Sequence, residues 1–353
     1  MAVDQATPAE TSQAFYGSLA EFHVEPLWKK PDLLPPEPKS KAVPHVWRYA
    51  PLRELLMRAG EVISAEEAER RVLMLMNPGL EGRAAATTML YAGLQLVLSS
   101  EVAPAHRHAA SALRFVVEGS GAYTAVDGEK QVMNPGDLVL TPSWAWHDHG
   151  NTSESPMIWL DGLDLPLINT LEANFFERGT EQSQELTKPD NASSRLYASA
   201  RLNPSWGAWE EQYSPVFNYP WEQTGRVLRE VGEDTSGSPT DGVILQYTNP
   251  YTGGTVLPTL GCYIQSLAPG LHTEAHQHTT SAVYHVVRGN GASIVDGERL
   301  EWGERDTFAV PGWATHEHIN GSSDEPAVLF SFTDDPVLRA LGYYRERAAE
   351  RQA

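Results

Sequence analysis

From about Arg70 onward, apolar and polar residues alternate in short runs broken by Gly, Pro, Asn and Asp. That texture predicts short strands joined by tight turns. Residues 72–76 form a first strand, closed by Asn77-Pro78-Gly79. Residues 89–98 form a longer one, with Tyr91, Gly93 and Gln95 on one face and Leu90, Ala92, Leu94 and Leu96 on the other. Residues 105–118 read as a single strand, so His106, His108 and Arg114 share a face, with the small Ala110 and Ala112 between them. Val126-Asp127-Gly128-Glu129 carries the Asp-Gly signature of a tight hairpin, and strands over 138–141 and 156–160 follow. Many short strands with turn signals roughly every 10 residues predict an all-β sandwich or barrel.

Other stretches change period. Residues 10–22 read as a helix and 26–44, rich in proline, as extended chain. Leu52, Leu55, Leu56 and Ala59 share a helical face that Gly60 can end. Ser64 with Glu67 three residues on has the form of a capping box. Residues 164–245 lose the strand texture, and 232–239 read as an exposed loop. Then the first pattern returns. His276-Gln277-His278 with Arg288-Gly289 repeats His106-Arg107-His108 with Glu118-Gly119. Val295-Asp296-Gly297-Glu298 repeats the hairpin, and 310–320 repeat 141–151. The offset, roughly 170 residues throughout, marks a duplicated domain, not a short-period solenoid. The end, 335–350, reads as an amphipathic helix with Val337, Leu338, Leu341 and Tyr344 on one side. The expected organisation is an N-terminal helical and extended segment (1–69), a first β domain (70–165), an inter-domain segment (166–245), a second β domain (246–334) and a C-terminal helix (335–353).

Composition narrows the function classes. The 353 residues suffice for two domains with sizeable cores. Lys+Arg 26 against Asp+Glu 46 gives a formal net charge of -20, which argues against nucleic acid and anionic membranes as partners. An anionic substrate would be repelled at long range, so its site must carry local positive charge. Cys262 is the single cysteine, which excludes an intramolecular disulfide and fits a reducing cytoplasm. No apolar run approaches the ~20 residues of a transmembrane helix, and the polar N-terminus is not a signal peptide.

Eight of the 12 histidines lie in the two repeated cassettes, four in each. Core histidines satisfied by hydrogen bonds would not cluster in register this way. His106 and His108, two apart on a strand, can reach one metal ion, and Arg114 stands across a space left by the alanines. This is a layout for a metal that binds an anion. The residues match the two cupin motifs: His106, His108 and Gly119 resemble the first, and Gly136, Pro142, His147 and Asn151 the second, with His147 as third ligand. Trp144 stands where the second motif has a glycine. Ala112 stands where the first has a glutamate, and the second copy departs likewise with Ala282. It also has Arg305 where the motif has Gly136. Three neutral imidazoles leave a divalent ion at full local charge with open positions on one side. An anionic chelating substrate then takes the place of the carboxylate in the oxygen-activating facial triad. Fe(II) suits dioxygen chemistry; three histidines would also hold zinc, manganese, nickel or cobalt.

Several runs further resemble the gentisate 1,2-dioxygenases, a group that includes salicylate, substituted-salicylate and 1-hydroxy-2-naphthoate dioxygenases. They are Glu69-Arg70-Arg71-Val72-Leu73, Leu90-Tyr91-Ala92-Gly93-Leu94-Gln95-Leu96, Pro104-Ala105-His106-Arg107-His108, Ala112-Leu113-Arg114-Phe115-Val116-Val117-Glu118-Gly119 and Trp144-Ala145-Trp146-His147-Asp148-His149-Gly150-Asn151. The earlier run Lys39-Ser40-Lys41-Ala42-Val43-Pro44-His45-Val46-Trp47 resembles the family's N-terminal part. The resemblance implies a bicupin: two jelly-roll, double-stranded β-helix barrels with N-terminal helical segments and a C-terminal helix. It implies an Fe(II) enzyme that opens an aromatic hydroxy acid with dioxygen, between the carboxyl-bearing carbon and its hydroxyl-bearing neighbour. Gentisate would give maleylpyruvate. The substrate would chelate the metal through its carboxylate and adjacent hydroxylate.

The site residues follow in the same terms. His106, His108 and His147 are the expected metal ligands. Arg114 would clamp the carboxylate through paired hydrogen bonds, and Arg70 resembles a second arginine of the pocket. Tyr91, Gly93 and Gln95 resemble pocket-lining positions. Tyr91 would bond the second hydroxyl and favours gentisate over salicylate, since salicylate-cleaving relatives tend to carry tryptophan there. Gly93 would leave room for the ring. His149, Trp159 and Asp161 are expected at the site, His149 in proton transfer or ligand support and Asp161 orienting a histidine. His276, His278 and His316 form a candidate second metal site. Tyr284 replaces Arg114 there, so a structural role is expected for it. A bicupin decarboxylase is disfavoured by Ala112 and Ala282, and a storage or binding bicupin by six retained histidine ligands. The resemblance also implies a homotetramer.

Overall fold

The computed structural model describes residues 8–197 and 202–348. Residues 1–7, 198–201 and 349–353 lie outside, and with them the last two positions of the helix expected over 335–350. The chain divides into two units, Met1–Lys39 and Ser40–Ala353. The smaller unit holds the helix Pro8–Leu19, continued as a 3-10 turn over Ala20–Phe22. Its proline-rich part is not continuous extended chain. Further 3-10 turns form at Leu27–Lys29 and Pro31–Leu33, the latter opened by a proline whose fixed φ suits a first helical position.

The larger unit holds two antiparallel barrels, each built from a six-stranded and a five-stranded sheet. In the first, the six-stranded order is Asn218–Tyr219, Leu138–Thr141, Ala112–Glu118, Met157–Leu163, Tyr91–Val97, Arg71–Met74. The five-stranded order is Phe176–Arg178, Val102–His108, His147–Asn151, Ala122–Val126, Glu129–Val132. The second barrel repeats this plan. Its outer strands come from afar: His45–Trp47, Val243–Gln246 and Glu346–Ala348 complete its sheets. Residues 166–245 likewise are no simple spacer, since Phe176–Arg178 and Asn218–Tyr219 pair back onto the first barrel.

Residues 105–118 are not one strand. Val102–His108 and Ala112–Glu118 lie in different sheets, joined by a turn through Ala109, Ala110 and Ser111. That turn contains no Gly or Pro. Distant acceptors hold it: Ala109 N–H donates to Phe175 O at 2.9 Å and Ser111 N–H to Asp164 Oδ1 at 2.9 Å. Arg114 therefore meets the histidines across the barrel, not along a shared strand face.

Ala112–Glu118 is buried on both faces, as a central strand between two layers must be. Leu113, Phe115 and Val117 enter a core shared with Ile264, Val283 and Phe332 of the second barrel. Phe115 stacks on Phe330, ring centroids 4.2 Å apart at 14°. The alternate residues, Ala112 and Arg114 among them, are left to face the interior of the first barrel.

Local chemistry explains the remaining elements. Asp127 and Gly128 (φ 44 and 76) and Asp296 and Gly297 (φ 49 and 83) give both hairpins their left-handed pairs. Trp144 and Trp313 adopt φ 64 and 67 in the turn where the motif has glycine. Arg305 takes φ 70 where Gly136 takes 85, and its guanidinium reaches Glu118 at 3.2 Å. Ser64 Oγ accepts from Glu67 N–H at 3.0 Å, as the capping pattern requires. The helix Tyr49–Val62 runs through Gly60, which serves close packing on Leu96 and Leu98 and not termination. The helix Trp221–Asp234 extends into the expected loop, which begins at Thr235.

The C-terminal helix is shorter than expected, Asp335–Ala340. Gly342, at φ 74, stands in the turn that ends it, and Glu346–Ala348 then pairs with His276–His278. The first barrel uses the same device, the helix Leu165–Thr170 followed by Phe176–Arg178 on Val102–His108.

Candidate metal centre and substrate cavity

Two neighbouring antiparallel strands place the first histidine triad. His106 lies directly opposite His147 in the strand register, and His108 follows two residues on, on the same face. Ring centroids are 4.1 Å apart for His106–His147, 4.7 Å for His108–His147 and 5.6 Å for His106–His108. One nitrogen from each ring falls within 4.8 Å of the others.

The hydrogen bonds fix which nitrogen that is. His106, His108 and His147 direct Nδ1 at the carbonyls of Pro104 (2.8 Å), Ala110 (2.7 Å) and Ala145 (2.9 Å). A carbonyl only accepts, so each Nδ1 carries the proton and each Nε2 presents a lone pair. Burial pushes the imidazolium pKa of His106 down to about 3, with Arg70 adding to it, and that of His108 down to about 4. His147 is held well below the ordinary value, chiefly by burial. Three neutral imidazoles with inward lone pairs and carbonyl-held Nδ1–H groups suit a divalent ion. His147 Nε2 is buried without a hydrogen-bond partner, as a ligand atom awaiting a metal would be.

A cavity of about 410 Å³ opens against this face. Arg70, Tyr91, Gln95, His106, His108, Arg114, His149 and Asp161 all border it, so the structure gathers most of the residues expected from sequence. Ala110 and Ala112 also border it, leaving open the place where the cupin motif has glutamate. An outer hollow of about 600 Å³ shares Glu69, Arg70, His106 and Phe176 with it.

Arg114 is almost fully buried in the wall. Nη1 donates to Thr141 Oγ1 at 2.6 Å, Nη2 to His149 Nε2 at 3.1 Å, and Nε lies 3.6 Å from Asp161 Oδ1. Burial pushes the guanidinium down to about 10, opposed by Asp161. It pushes the Asp161 carboxyl up to about 6, opposed by Arg114 and by a hydrogen bond from Trp159. At neutral pH both are charged. Since arginine only donates, His149 Nε2 accepts and its Nδ1–H donates to Thr124 Oγ1 at 2.9 Å. Both nitrogens are engaged and burial holds the ring well below its ordinary pKa. His149 thus steers Arg114 and is not set up to take a proton.

The cupin domain family matches this chain twice, over residues 93–163 and 263–333. A gentisate 1,2-dioxygenase of Aquipseudomonas alcaligenes is 44% identical over 342 residues, covering 96% of this chain and 97% of its own. The chain belongs to the gentisate 1,2-dioxygenase family. Within it, a 5-aminosalicylate 1,2-dioxygenase of Comamonas sp is 42% identical, over 95% of this chain and 90% of its own. The salicylate 1,2-dioxygenase of Pseudoaminobacter salicylatoxidans, solved as a Trp-to-Tyr variant in complex with gentisate, superposes at TM-score 0.91. It is 37% identical, covering 99% of this chain and 98% of that one. These are bicupin ring-cleaving dioxygenases, and this chain is one of them.

Three expectations for the family pocket change. Trp159 does not face the cavity. It is fully buried among Val97, Val116, Met133 and Met157, and its Nε1 donates to Asp161 Oδ1 at 2.9 Å. Its indole contribution is to hold that carboxylate. Asp161 in turn pairs with Arg114 and orients no histidine. Gly93 makes room for its neighbours before any ring: a Cβ there would stand 2.6 Å from Val72 Cγ1 and 2.8 Å from Tyr91 Oη. Gly93→Ala is expected to lower stability by about 1–3 kcal/mol through overpacking and to displace the Tyr91 hydroxyl; the midpoint of denaturant unfolding measures it. An unchanged midpoint would mean the two neighbours yield freely.

Other residues escape the motifs. Thr141 and Thr124 hold Arg114 and His149 from interior-facing strand positions, which alternation alone could have flagged. Phe176 stacks on His106 (5.6 Å, 28°) and lies 5.4 Å from the Arg70 guanidinium carbon, from a segment with no readable strand pattern.

Proposed function

We propose that this chain is an Fe(II)-dependent gentisate 1,2-dioxygenase, breaking the bond between the carboxyl- and hydroxyl-bearing ring carbons and adding both atoms of dioxygen to give maleylpyruvate. The observation that carries it is a buried Arg114 guanidinium bordering the same cavity as His106 and His108 of the three-histidine face. Fe(II) on His106, His108 and His147 would supply a redox-active Lewis acid that binds a chelating hydroxy acid and dioxygen side by side.

The chain's own residues do the rest. Arg114 and Arg70 provide the local positive charge that a chain of net charge -20 needs to accept a carboxylate. Arg70 Nη1 sits 2.8 Å from His106 Nε2, the lone pair that a metal would take. With that lone pair given to a metal, the Arg70 guanidinium would be free to serve the substrate. Tyr91, whose pKa burial raises, stays a neutral hydroxyl at the cavity wall and would meet the second ring hydroxyl of gentisate. Gln95, whose Nε2 is buried without a partner, offers a further donor. Ala110, Ala112 and Leu163 give the cavity an apolar lining beside the histidines.

Anaerobic loading with Fe(II), addition of gentisate and admission of air should give oxygen uptake together with the ultraviolet band of the ring-opened product. Uptake with salicylate, 5-aminosalicylate or 1-hydroxy-2-naphthoate in preference to gentisate would move the substrate within the family. No uptake with any of them would overturn the proposal. The family reading extends it to a cytoplasmic homotetramer, which light scattering on the purified protein tests. No helix among the described residues is long and apolar enough to cross a membrane.

A further inference from the structure

The short helix that follows each barrel opens on an aspartate that does not cap it. Asp164 stands at the N-cap of Leu165–Thr170 and Asp334 at that of Asp335–Ala340, with similar backbones (φ -83, ψ 20 and φ -94, ψ 16), and neither side chain bonds its own helix. An aspartate there ordinarily accepts from the second or third helical N–H. Both are almost fully buried, and both carboxylates reach instead for the turn after a histidine pair. Asp164 Oδ1 accepts from Ser111 N–H at 2.9 Å and Asp334 Oδ1 from Ser281 N–H at 2.8 Å, across 53 residues in each case. The Ser111 N–H and the Ala110 carbonyl belong to one planar, rigid peptide unit. That carbonyl accepts from His108 Nδ1 at 2.7 Å. Likewise the Ser281 N–H shares a peptide unit with the Thr280 carbonyl, which accepts from His278 Nδ1 at 3.0 Å. The other carboxylate oxygens join the barrels to each other. Thr259, leading into the second barrel's strand Gly261–Leu267, donates to Asp164 Oδ2 at 2.5 Å. Thr87, leading into the first barrel's strand Tyr91–Val97, lies 2.7 Å from Ser281 Oγ, which donates to Asp334 Oδ2 at 2.7 Å.

We infer that Asp164 is a positioning residue for the metal centre: it fixes the Ala110–Ser111 peptide that aims His108, and through Thr259 the second barrel braces that ligand. His106 and His147 bond carbonyls two residues before them, Pro104 and Ala145, whereas His108 bonds one two residues after it, in the turn between the sheets. No Gly or Pro presets that turn, so the orientation of its peptides comes from outside it. Phe175 O, which accepts from Ala109 N–H, and Ser143 Oγ, which donates to Ala109 O at 2.6 Å, act on the two preceding peptide units. Asp164 acts on the one that carries the His108 acceptor. A rotated Ala110–Ser111 peptide would take its carbonyl away from Nδ1, and the ring would then be free to swing Nε2 off the point where the three lone pairs meet. A carboxylate, one peptide and a histidine thus form the kind of outer support that orients a ligand. The same three-part arrangement at Asp334, Thr280–Ser281 and His278 shows that it is built into the repeat. The inference rests on the first triad's holding a metal and is independent of which acid is cleaved.

The test is anaerobic titration of the full-length protein with Co(II), followed by the ligand-field absorption. A His278→Ala parent leaves the first triad as the one complete histidine triad among the described residues. In that parent Asp164→Ala should weaken Co(II) binding by about tenfold or more and alter the spectrum. Asp164→Asn keeps an acceptor for Ser111 N–H and a polar partner for Thr259, so it should restore the parent's affinity and spectrum. A residue that served stability alone would move the unfolding midpoint and leave the titration where it was. Thr259→Val, a substitution of similar shape outside the first barrel, should weaken Co(II) binding by about threefold, and it carries the test should Asp164→Ala fail to fold. An Asp164→Ala titration superposing on a parent that binds Co(II) would overturn this inference alone, as would Asp164→Asn binding no better than Asp164→Ala. A Thr259→Val titration superposing on the parent would overturn the bracing by the second barrel. A parent that takes no Co(II) would overturn the metal centre itself, and this inference with it.

Discussion

His147→Ala is expected to empty the first barrel of metal and lower ring cleavage by about 10³-fold or more. The three-histidine face has no spare ligand, because Ala112 occupies the place where a glutamate would compensate. Removing one imidazole leaves His106 and His108 alone, and Arg70 already competes for the first of them at 2.8 Å. Metal contributes several kcal/mol of transition-state stabilisation in such sites, each 1.36 kcal/mol being a factor of ten. The fold should survive. The substitution strands the Ala145 carbonyl and empties a small buried volume, a cost of about 1–3 kcal/mol against a usual stability of 5–15 kcal/mol. Metal content, oxygen uptake and circular dichroism on one preparation separate these effects. Retained iron with retained turnover would remove His147 from the site.

The same substitution shows why this centre was readable in the sequence. His-X-His followed by a proline turn and a third histidine places three rings through strand register alone, and the second copy repeats it. Such chemistry is local in sequence and survives errors in strand boundaries. Arg114 is only partly legible from alternation. Its alternation with Leu113 and Phe115 marked an interior-facing position correctly, yet the chain crosses between sheets at Ala109–Ser111, where no Gly or Pro announces a turn. The acceptors that hold that turn, Phe175 O and Asp164 Oδ1, lie more than fifty residues away. Phe176 and the C-terminal strand are illegible for the same reason. Each gains its role by pairing with, or standing over, a barrel formed elsewhere in the chain. Trp159 shows the opposite error: an aromatic near the site looks like a pocket wall, whereas alternation places it inside and its N–H serves Asp161.

Arg114→Ala tests the substrate half of the site, and its interpretation depends on Asp161. Arg114 and Asp161 are a buried charge pair, and deleting one partner alone leaves a carboxylate without its counter-charge, at a cost of about 3–5 kcal/mol. Burial already pushes Asp161 up to about 6, and without the guanidinium it rises further and takes a proton near neutrality. The single variant therefore mixes lost stability with lost binding. Arg114→Ala/Asp161→Asn removes both charges and keeps an acceptor for the Trp159 N–H, so most of the stability should return. Turnover should not: kcat/KM is expected to stay about 10³-fold down, with iron still bound, because the anion clamp and not the fold is what remains missing. Arg114→Lys should recover part of the loss, since lysine restores charge without the planar fork. Wild-type kcat/KM in the double variant would place the carboxylate elsewhere in the cavity, and Arg70 would then be the cation to test.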